Sequence, residues 1–204
     1  MEGMTLPKSR IEELLAPYLS PIPAALLPQL SLYLDLLVKW NSRTNLTAIR
    51  SPEEMVQRHF GESLFAAQNL GSLLPETLLD LGSGAGFPGL PIALLYPQIK
   101  VTLAESQNKK ATFLREVVRT LEIGNVTIWA GRAETMPEDC RFHTVTLRAV
   151  DDMAAALKAA GPRALQQIVL LTTGTPDLPD GFLAEESLPI PGSHTGALLR
   201  AVRG

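Results

Sequence analysis

The first 70 residues show the pattern of amphipathic helices, in which apolar side chains recur every three or four positions. This pattern predicts three helices, at about residues 9–19, from beyond Pro23 to about Asn41, and at about 51–70. The third has a strong start, because Ser51 can cap it, Pro52 suits its first position and two acids follow. Residues 40–47 are polar and are expected to form a connector. We therefore predict a helical extension at residues 1–71.

From residue 76 the pattern changes to short apolar runs that alternate with amphipathic segments. It predicts strands at 77–81, 100–104, 126–129, 142–147 and 167–172, with helices at 88–96, 107–122 and 151–160. Such alternation is typical of a parallel sheet covered by helices on both faces. Two further strands, at 182–190 and 197–203, are joined by a short segment and are expected to be antiparallel. Residues 72–204 are thus predicted to form one α/β domain.

Composition narrows the class of protein. The 204 residues are 46% apolar and 19% charged, which is typical of a globular chain. The net charge is −3, so any nucleic-acid binding has to come from a local basic patch. One cysteine, Cys140, and three scattered histidines argue against a disulfide or a metal site. No apolar run approaches the roughly 18 residues that span a membrane, and we expect a cytoplasmic protein.

A glycine-rich turn follows the first strand of this domain. Gly82, Gly84 and Gly86 stand at alternate positions, and a helix pattern begins at Pro88. Glycines allow positive φ angles and let a ligand approach the main chain. The free N–H groups at a helix start also favour a negatively charged group. The stretch therefore predicts a site for a nucleotide-like ligand.

Two ligands fit this turn. The spacing Gly84-x-Gly86-x-x-Gly89 matches the dinucleotide fingerprint, and Glu105 lies 23 residues past Gly82, where a ribose-binding acid is expected. The spacing Asp80-x-Gly82-x-Gly84-x-Gly86 instead matches the loop of S-adenosyl-L-methionine (SAM) methyltransferases. About 130 residues with one glycine loop leave little room for a second nucleotide-binding half and a substrate domain. The architecture therefore favours a Rossmann-like class I SAM-dependent methyltransferase, with a mostly parallel sheet and an antiparallel final strand.

Candidate site residues follow the strand ends. The main chain of residues 82–86, which includes Ser83, can face the methionine end of SAM. Asp80 either assists the SAM ammonium or orders the turn. Glu105 can accept both ribose hydroxyls or cap a helix. Ala133 and Glu134 are expected to border the adenine in this fold, with a surface acid as the alternative for Glu134.

Arg148 ends the fourth strand, where the methyl group would emerge. It can orient the substrate or the cofactor, or form a structural ion pair with Asp151 or Asp152. It stays protonated, so it is a poor general base, and no catalytic residue is assigned. Cys140 lacks the Pro-Cys setting of cytosine-C5 methyltransferases. The acceptor therefore needs no covalent activation, which suits a ring nitrogen such as guanine N7.

Basic residues are concentrated in two segments. They are Arg43, Arg50 and Arg58 in the helical extension, and Lys100, Lys109, Lys110, Arg115 and Arg119 in or near the helix after the second strand. Together they can follow a phosphate backbone, although solvated helix faces explain such residues equally well. Trp40 and Phe87 can stack on a base or on adenine, with core packing the stronger expectation for Trp40.

The chain resembles the bacterial small-subunit rRNA methyltransferase G family (RsmG, also called glucose-inhibited division protein B) over about residues 33–160. The matching motifs are Lys39-Trp40-Asn41, Asn45-Leu46-Thr47-Ala48-Ile49, Arg58-His59, Ser63-Leu64, the stretch from Asp80 to Gly89, Glu105-Ser106, Lys109-Lys110, Phe113-Leu114-Arg115, Gly131-Arg132-Ala133-Glu134 and Arg148-Ala149. The combination of the glycine stretch with the Asn-Leu-Thr connector is specific to this family.

The resemblance implies SAM-dependent methylation of N7 of one guanosine in 16S rRNA. It implies SAM contacts from Gly82, Phe87, Glu105, Ala133, Glu134 and Arg148. It also implies that the helical extension and the basic helix face RNA or the 30S subunit, and that the protein is a monomer.

The chain departs from the family pattern at three places. It reads Thr172-Thr173-Gly174 where the family usually has Lys-Gly, Ser193-His194-Thr195-Gly196 where an Arg-His pair is common, and Glu62 where the family has Asp. The first two departures concern RNA contacts near the C-terminus and leave the cofactor site unchanged. The remaining alternatives are a SAM enzyme with a small-molecule acceptor, a nicotinamide-dinucleotide oxidoreductase and a non-catalytic RNA-binding module.

Overall fold

The computed structural model describes residues 5–150 and 152–204. Its N-terminal part consists of helices α1 (Lys8–Leu15), α2 (Leu26–Thr44), α3 (Pro52–Glu54) and α4 (Glu62–Gln68), with a π-helical segment at Met55–Gly61 between the last two. Helix α2 continues into the predicted connector at 40–47 as far as Thr44. Asn45, with a φ of 51°, ends the helix. The third predicted helix starts as expected, because the Ser51 side chain accepts a hydrogen bond from the Glu54 amide. Its π-helical interruption was not predicted.

The remainder of the chain alternates strands and helices. The strands are β1 (Thr77–Leu81), β2 (Lys100–Ala104), β3 (Val126–Trp129), β4 (Phe142–Arg148), β5 (Ala164–Thr172), β6 (Phe182–Pro189) and β7 (Ala197–Arg203). The helices are α5 (Gly89–Leu95), α6 (Asn108–Thr120) and α7 (Met153–Ala160). Most predicted bounds agree within one or two residues, but β5 begins three residues earlier than expected.

The strands form one sheet in the order β3-β2-β1-β4-β5-β7-β6. Strands β1 to β5 are parallel, whereas β7 pairs antiparallel with both β5 and β6. This arrangement confirms the predicted mostly parallel sheet with an antiparallel ending. Central strands such as β1 and β4 are nearly continuous buried runs, because helices cover both faces of the sheet.

The core lies on both sides of the sheet. One hydrophobic cluster joins the N-terminal helices to α5, α6 and the facing strands, and includes Tyr33, Phe60, Phe87 and Phe113. The second fills the opposite face, between the sheet and α7. The helical extension thus shares its core with one face of the sheet. The division of the chain at residue 71 stays a prediction.

Helix α7 is shorter than the predicted helix at 151–160. The Asp152 side chain caps it by accepting a hydrogen bond from the Ala155 amide at 2.9 Å. Asp151 lies outside the described residues. In the two described ranges, no helix is both long and apolar enough to cross a membrane.

Candidate active site

The glycine loop, residues 82–88, joins β1 to α5 at the carboxyl edge of the sheet. The amides of Gly82 and Ser83 both donate to the carbonyl of Ala104 at 3.0 Å, which anchors the loop to the end of β2. The Ser83 hydroxyl is buried and donates to the Asp80 carbonyl at 2.9 Å. The loop is therefore a fixed turn with its main-chain groups largely satisfied internally.

Two glycines of the loop are required for different reasons. Gly86 has a φ of 97°, and a Cβ atom there would lie 2.5 Å from the Tyr33 hydroxyl and clash with Leu90. Gly84 has a φ of 59°, but a Cβ atom there would meet nothing nearer than the Gly82 carbonyl at 3.9 Å. Gly86 is thus required by packing, whereas Gly84 adjoins open space that a ligand can occupy.

Asp80 is 1% exposed and orders the turn. Its Oδ2 accepts from the Gly89 amide at 3.0 Å, and its Oδ1 accepts from the Thr146 hydroxyl at 2.9 Å. Burial raises the pKa of this carboxyl to about 6, against the opposing effect of its hydrogen bonds. The expectation of a free helix N-terminus for an anion is wrong at Gly89, because Asp80 already caps that amide.

Glu105 lies directly beside the glycine loop, as the sequence predicts. It is 5% exposed, and its Oε2 accepts from the Gly84 amide at 2.8 Å while Oε1 accepts from the Gln107 amide at 2.7 Å. A carboxylate oxygen has more than one lone pair, so each oxygen keeps acceptor capacity for a hydroxyl. The carboxylate is therefore held by the main chain in one orientation next to the open space at Gly84.

Ala133 and Glu134 lie in a single 3-10 turn, Ala133–Thr135, beyond the end of β3. Ala133 is buried and Glu134 is exposed. In the part of the chain that the structure describes, no hydrogen bond links either residue to the glycine loop or to Glu105. The segment that follows them is held by Arg163, whose guanidinium donates to the carbonyls of Met136, Pro137 and Cys140.

The two candidate stacking residues are engaged in the core. The buried Phe87 ring lies nearly parallel to the rings of Tyr33 and His59, with centroid distances of 5.3 and 4.7 Å. The Trp40 indole donates to Glu116 at 3.1 Å and packs edge-on against Phe113. The expectation that the Phe87 ring can stack on adenine is therefore not supported, and any ligand contact from Phe87 falls to its main chain.

Arg148 is bound to the helical extension. Its guanidinium donates to the Glu62 carboxylate at 2.9 and 3.2 Å, to the Arg58 carbonyl at 2.6 Å, and to His59 Nδ1 at 3.1 Å. The structural ion pair that the sequence allowed exists, but its partner is Glu62. Asp152 instead caps α7. We call these residues, together with Thr47, which binds His59, the Arg148 cluster (Thr47, Arg58, His59, Glu62 and Arg148).

His59 connects this cluster to the connector after α2. Burial, with the positive charges of Arg148 and Arg58, lowers the pKa of His59 to about 3. Its ring is therefore neutral, and since Nδ1 accepts from Arg148, Nε2 carries the proton and donates to the Thr47 hydroxyl at 2.9 Å. The Thr47 amide in turn donates to Asn41 Oδ1 at 2.9 Å. The polar motif at residues 41–47 thus supports the end of β4.

A polar cleft of about 430 Å³ adjoins the cluster. The ends of β4 and β5, the β6–β7 connection and the helical extension form its walls. Its lining includes Arg58, Arg148, Val150, Thr173, His194 and Thr195. A Cβ atom at Gly82 would lie 3.5 Å from Val150 Cγ1, so the cleft and the glycine loop share a wall.

A family model for the rRNA small subunit methyltransferase G (GidB) family matches residues 26–174. The match covers the connector at residues 40–47, the glycine loop, Glu105 and Arg148. The chain belongs to the GidB family.

Curated relatives carry the same family name. Ribosomal RNA small subunit methyltransferase G of Xanthomonas euvesicatoria pv. vesicatoria is 45% identical over 69% of this chain and 65% of its own length. The protein of the same name from Stenotrophomonas maltophilia is 46% identical over the same shares. The matched part therefore spans just under two thirds of these GidB relatives, and the resemblance inferred from the sequence motifs is confirmed.

Solved structures show the same fold at low identity. A mutant of MtNAS, crystallised in complex with S-adenosylmethionine, matches 98% of this chain and 84% of its own with a TM-score of 0.60 at 16% identity. The predicted Rossmann-like fold of class I methyltransferases is confirmed for this GidB protein.

Several residues of this GidB site were not found from the sequence. Tyr33, whose hydroxyl donates to the Ala85 carbonyl, lies in the amphipathic pattern of the second helix, and that pattern gives it no role beyond packing. The sequence marks His59 and Glu62 as motif positions without indicating their role, and it gives no indication for Arg163. A polar residue within an apolar helical face was the available signal for His59, whereas nothing in the local sequence points to Arg163.

Proposed function

We propose that the protein transfers the methyl group of SAM to N7 of a guanosine in the 16S rRNA of the small ribosomal subunit. The observation that carries the proposal is Glu105, held by the Gly84 amide beside open space at the end of β1. Membership of the GidB family supports rRNA as the substrate.

The residues present fit SAM. The open space at Gly84 can take the methionine part, with Gly82, Ser83, Gly86 and Phe87 contributing main chain or shape. Glu105 has acceptor capacity for the ribose hydroxyls. Ala133 and Glu134 follow β3, which pairs with β2 in the sheet. We assign these two residues to the adenine. SAM supplies an electrophilic methyl group on a sulfonium.

Guanine N7 carries a lone pair, so the reaction needs no residue that removes a proton. The buried acid and the buried imidazole of the site are unsuited to that role, since Asp80 is bound by Gly89 and Thr146, and His59 Nδ1 by Arg148. The chain instead contributes alignment and exclusion of water, which can supply a large part of a rate enhancement. Arg148 contributes a fixed positive charge at the end of β4 and orients the substrate.

RNA is expected to approach over the carboxyl edge of the sheet. Lys109 and Lys110 lie in the first turn of α6, at that edge, and Arg50 and Arg58 are exposed near the connector and the cleft. Guanidinium and ammonium groups in such positions can neutralise backbone phosphates. We further propose a monomer that acts in the cytoplasm on rRNA or the 30S subunit, with a helical extension at 1–71 and a methyltransferase domain at 72–204.

The first test is SAM binding by calorimetry with wild type, Gly84→Asp and Gly124→Asp. Aspartate at 84 would fill the open space and add a carboxylate that repels the SAM carboxylate and Glu105, so we expect binding at least about 100-fold weaker. Gly124 precedes β3, and nothing lies within 4 Å of its Cβ position, so this control should bind SAM like wild type. Binding of NADH in place of SAM would instead return the loop to a dinucleotide function.

The second test follows methyl transfer to 30S subunits and to naked 16S rRNA that lack the modification. Nuclease digestion and mass spectrometry should detect 7-methylguanosine at one position. Folded wild-type protein that binds SAM without methylating either RNA would contradict the rRNA substrate while leaving the cofactor proposal intact.

A further inference from the structure

The polar cleft beside the glycine loop has the size and position of an acceptor site. We propose that it receives the purine base that accepts the methyl group, with the base turned out of its RNA strand. This inference rests on the proposed function, since it takes a nucleobase as the acceptor. The volume of the cleft, about 430 Å³, lies in the range typical of small-molecule sites. Many enzymes that modify a base within a strand turn that nucleotide out into such a recess, where the base can be aligned with the reacting group.

The cleft opens next to the glycine loop, where the methyl donor is proposed to bind. Val150 lines it and lies 3.5 Å from the Cβ position of Gly82. Strand β4, which ends at Arg148, is the immediate neighbour of β1 in the sheet. A methyl donor bound over β1 and a methyl acceptor bound over β4 and β5 would therefore lie side by side at the carboxyl edge, where ligands of open α/β sheets bind.

Three polar side chains of the lining have no intramolecular task. Thr173, His194 and Thr195 make no side-chain hydrogen bond within residues 5–150 and 152–204. Hydroxyl and imidazole groups can both donate and accept, so they can pair with the oxygen and N–H groups of guanine. These three side chains thus offer hydrogen bonds to a base edge.

The positive groups lie on one wall of the cleft. Arg58 uses its Nε to bind Glu62, while about half of its side chain is exposed and its terminal nitrogens have no described partner. Arg148 is fixed beside it by Glu62 and His59. A guanidinium with free N–H groups suits the phosphate next to the base, because its donors match the phosphate oxygens.

The opposite wall is preformed. In the β6–β7 connection, the Ser193 hydroxyl accepts from the Gly196 amide at 2.8 Å, and the Ile190 amide donates to the Gly196 carbonyl at 3.0 Å. These bonds hold the turn that carries His194 and Thr195. A base would therefore enter an existing recess, which lowers the ordering entropy that binding has to overcome.

A direct test uses residue-resolved NMR. Guanosine 5′-monophosphate is titrated at millimolar concentration into wild-type protein saturated with S-adenosylhomocysteine, with adenosine 5′-monophosphate as a comparison. We expect amide shifts confined to Thr173, His194, Thr195 and their neighbours, larger for the guanine nucleotide. Shifts elsewhere that leave the cleft unchanged would overturn the inference.

A second test fills the cleft with the variants Thr173→Trp and Thr195→Trp. Both threonines are exposed, so folding should be preserved. The matched control is Thr127→Trp, because Thr127 is an exposed threonine on β3, the strand at the far edge of the sheet from β6. We expect methyl transfer to 30S subunits to fall about 100-fold in the cleft variants, because a base displaced by even an ångström loses its alignment. SAM affinity should stay within about twofold of wild type, since the cofactor space is untouched.

The outcomes separate this inference from the proposed function. Wild-type methylation of 30S subunits together with full activity in both cleft variants would overturn the cleft as acceptor site and leave the function standing. Equal losses of SAM affinity and activity would also overturn it, because the cleft would then serve the cofactor. Guanine-dependent shifts in the cleft without rRNA methylation would support the acceptor site and contradict the rRNA substrate.

Discussion

Two polar clusters lie at the carboxyl edge of the sheet, and they are built differently. In the glycine-loop cluster (Asp80, Gly84, Gly89, Glu105 and Thr146), carboxylates mainly accept from main-chain amides. In the Arg148 cluster, side chains bind mostly to one another, and Arg148 reaches Glu62 and His59 across 86 and 89 residues of sequence. Main-chain donors are present whatever the neighbouring side chains are, whereas side-chain pairs need particular partners. The first cluster should therefore tolerate substitution of its neighbours, and the second should depend on each member.

Burial also acts on opposite charges in the two clusters. It raises the pKa of Asp80 to about 6 and, with two arginines nearby, lowers the pKa of His59 to about 3. In each case the charged form is disfavoured, because a buried charge loses its hydration. The positive charge of Arg148 beside His59 is compensated instead by Glu62 at 2.9 Å. The comparison leads to three predictions beyond those for the cofactor and the cleft.

The largest effect is expected within the glycine loop itself. Gly86→Ala should destabilise the protein by about 3–5 kcal/mol, from a strained φ and a clash with Tyr33 and Leu90. Gly84→Ala should cost only about 1–2 kcal/mol, because its Cβ would enter open space. Denaturant unfolding of both variants measures the difference. Equal destabilisation would show that packing does not distinguish these two glycines.

The Arg148 cluster should be nearly as sensitive. Arg148→Met removes the more buried of the two arginines that pair with the buried Glu62 carboxylate and leaves it with the exposed Arg58, so we expect a loss of about 3 kcal/mol in unfolding free energy. The double variant Arg148→Met/Glu62→Leu should recover most of that loss, because it removes both charges. Unfolding of the two singles and the double gives the coupling energy. Additive losses would mean that the pair contributes no net interaction in the folded protein.

The smallest effects separate the two clusters by pH. The His59 contribution to stability is fully present above its unfolded pKa of 6.5 and declines as the pH falls toward 3. The Asp80 contribution is present below its unfolded pKa of 3.8 and is lost as the pH rises through 6. Between pH 7 and pH 5, wild type should therefore lose about 2 kcal/mol relative to His59→Gln and gain about 1 kcal/mol relative to Asp80→Asn.

The measurement is unfolding by denaturant at intervals of half a pH unit. Slopes of the same sign for the two variants would contradict the assignment of opposite roles. A flat difference for His59→Gln alone would mean that the imidazole is already accessible to solvent in the folded protein.

The course of the sheet was predictable because its signals are local. Strand β1 and the glycines after it are recognisable within a dozen residues, and β2 and β3 end at the predicted positions. The place of Glu105 follows from the same logic, since parallel strands bring their carboxyl ends to one edge. The direction of β7 followed from the short connection before it.

The interior contacts of the site were not predictable in the same way. Phe87 has the composition of a stacking residue, yet its ring is covered by Tyr33 and His59 from two separate N-terminal helical segments. For Arg148, the sequence offered an ion pair with Asp151 or Asp152 as one alternative, whereas in the described residues its guanidinium pairs with Glu62. Local sequence carries no information on which distant helix packs over a strand end.

The sequence by itself determined the α/β architecture, the glycine turn and the position of Glu105, because periodicity, turn geometry and strand order act over short distances. Only the tertiary structure decided that Asp80 caps α5, that Arg148 is bound to the helical extension, and that a polar cleft adjoins the loop. Those features depend on how the N-terminal helices pack against the sheet. That packing is determined by the summed burial of many side chains, so no single motif reveals it.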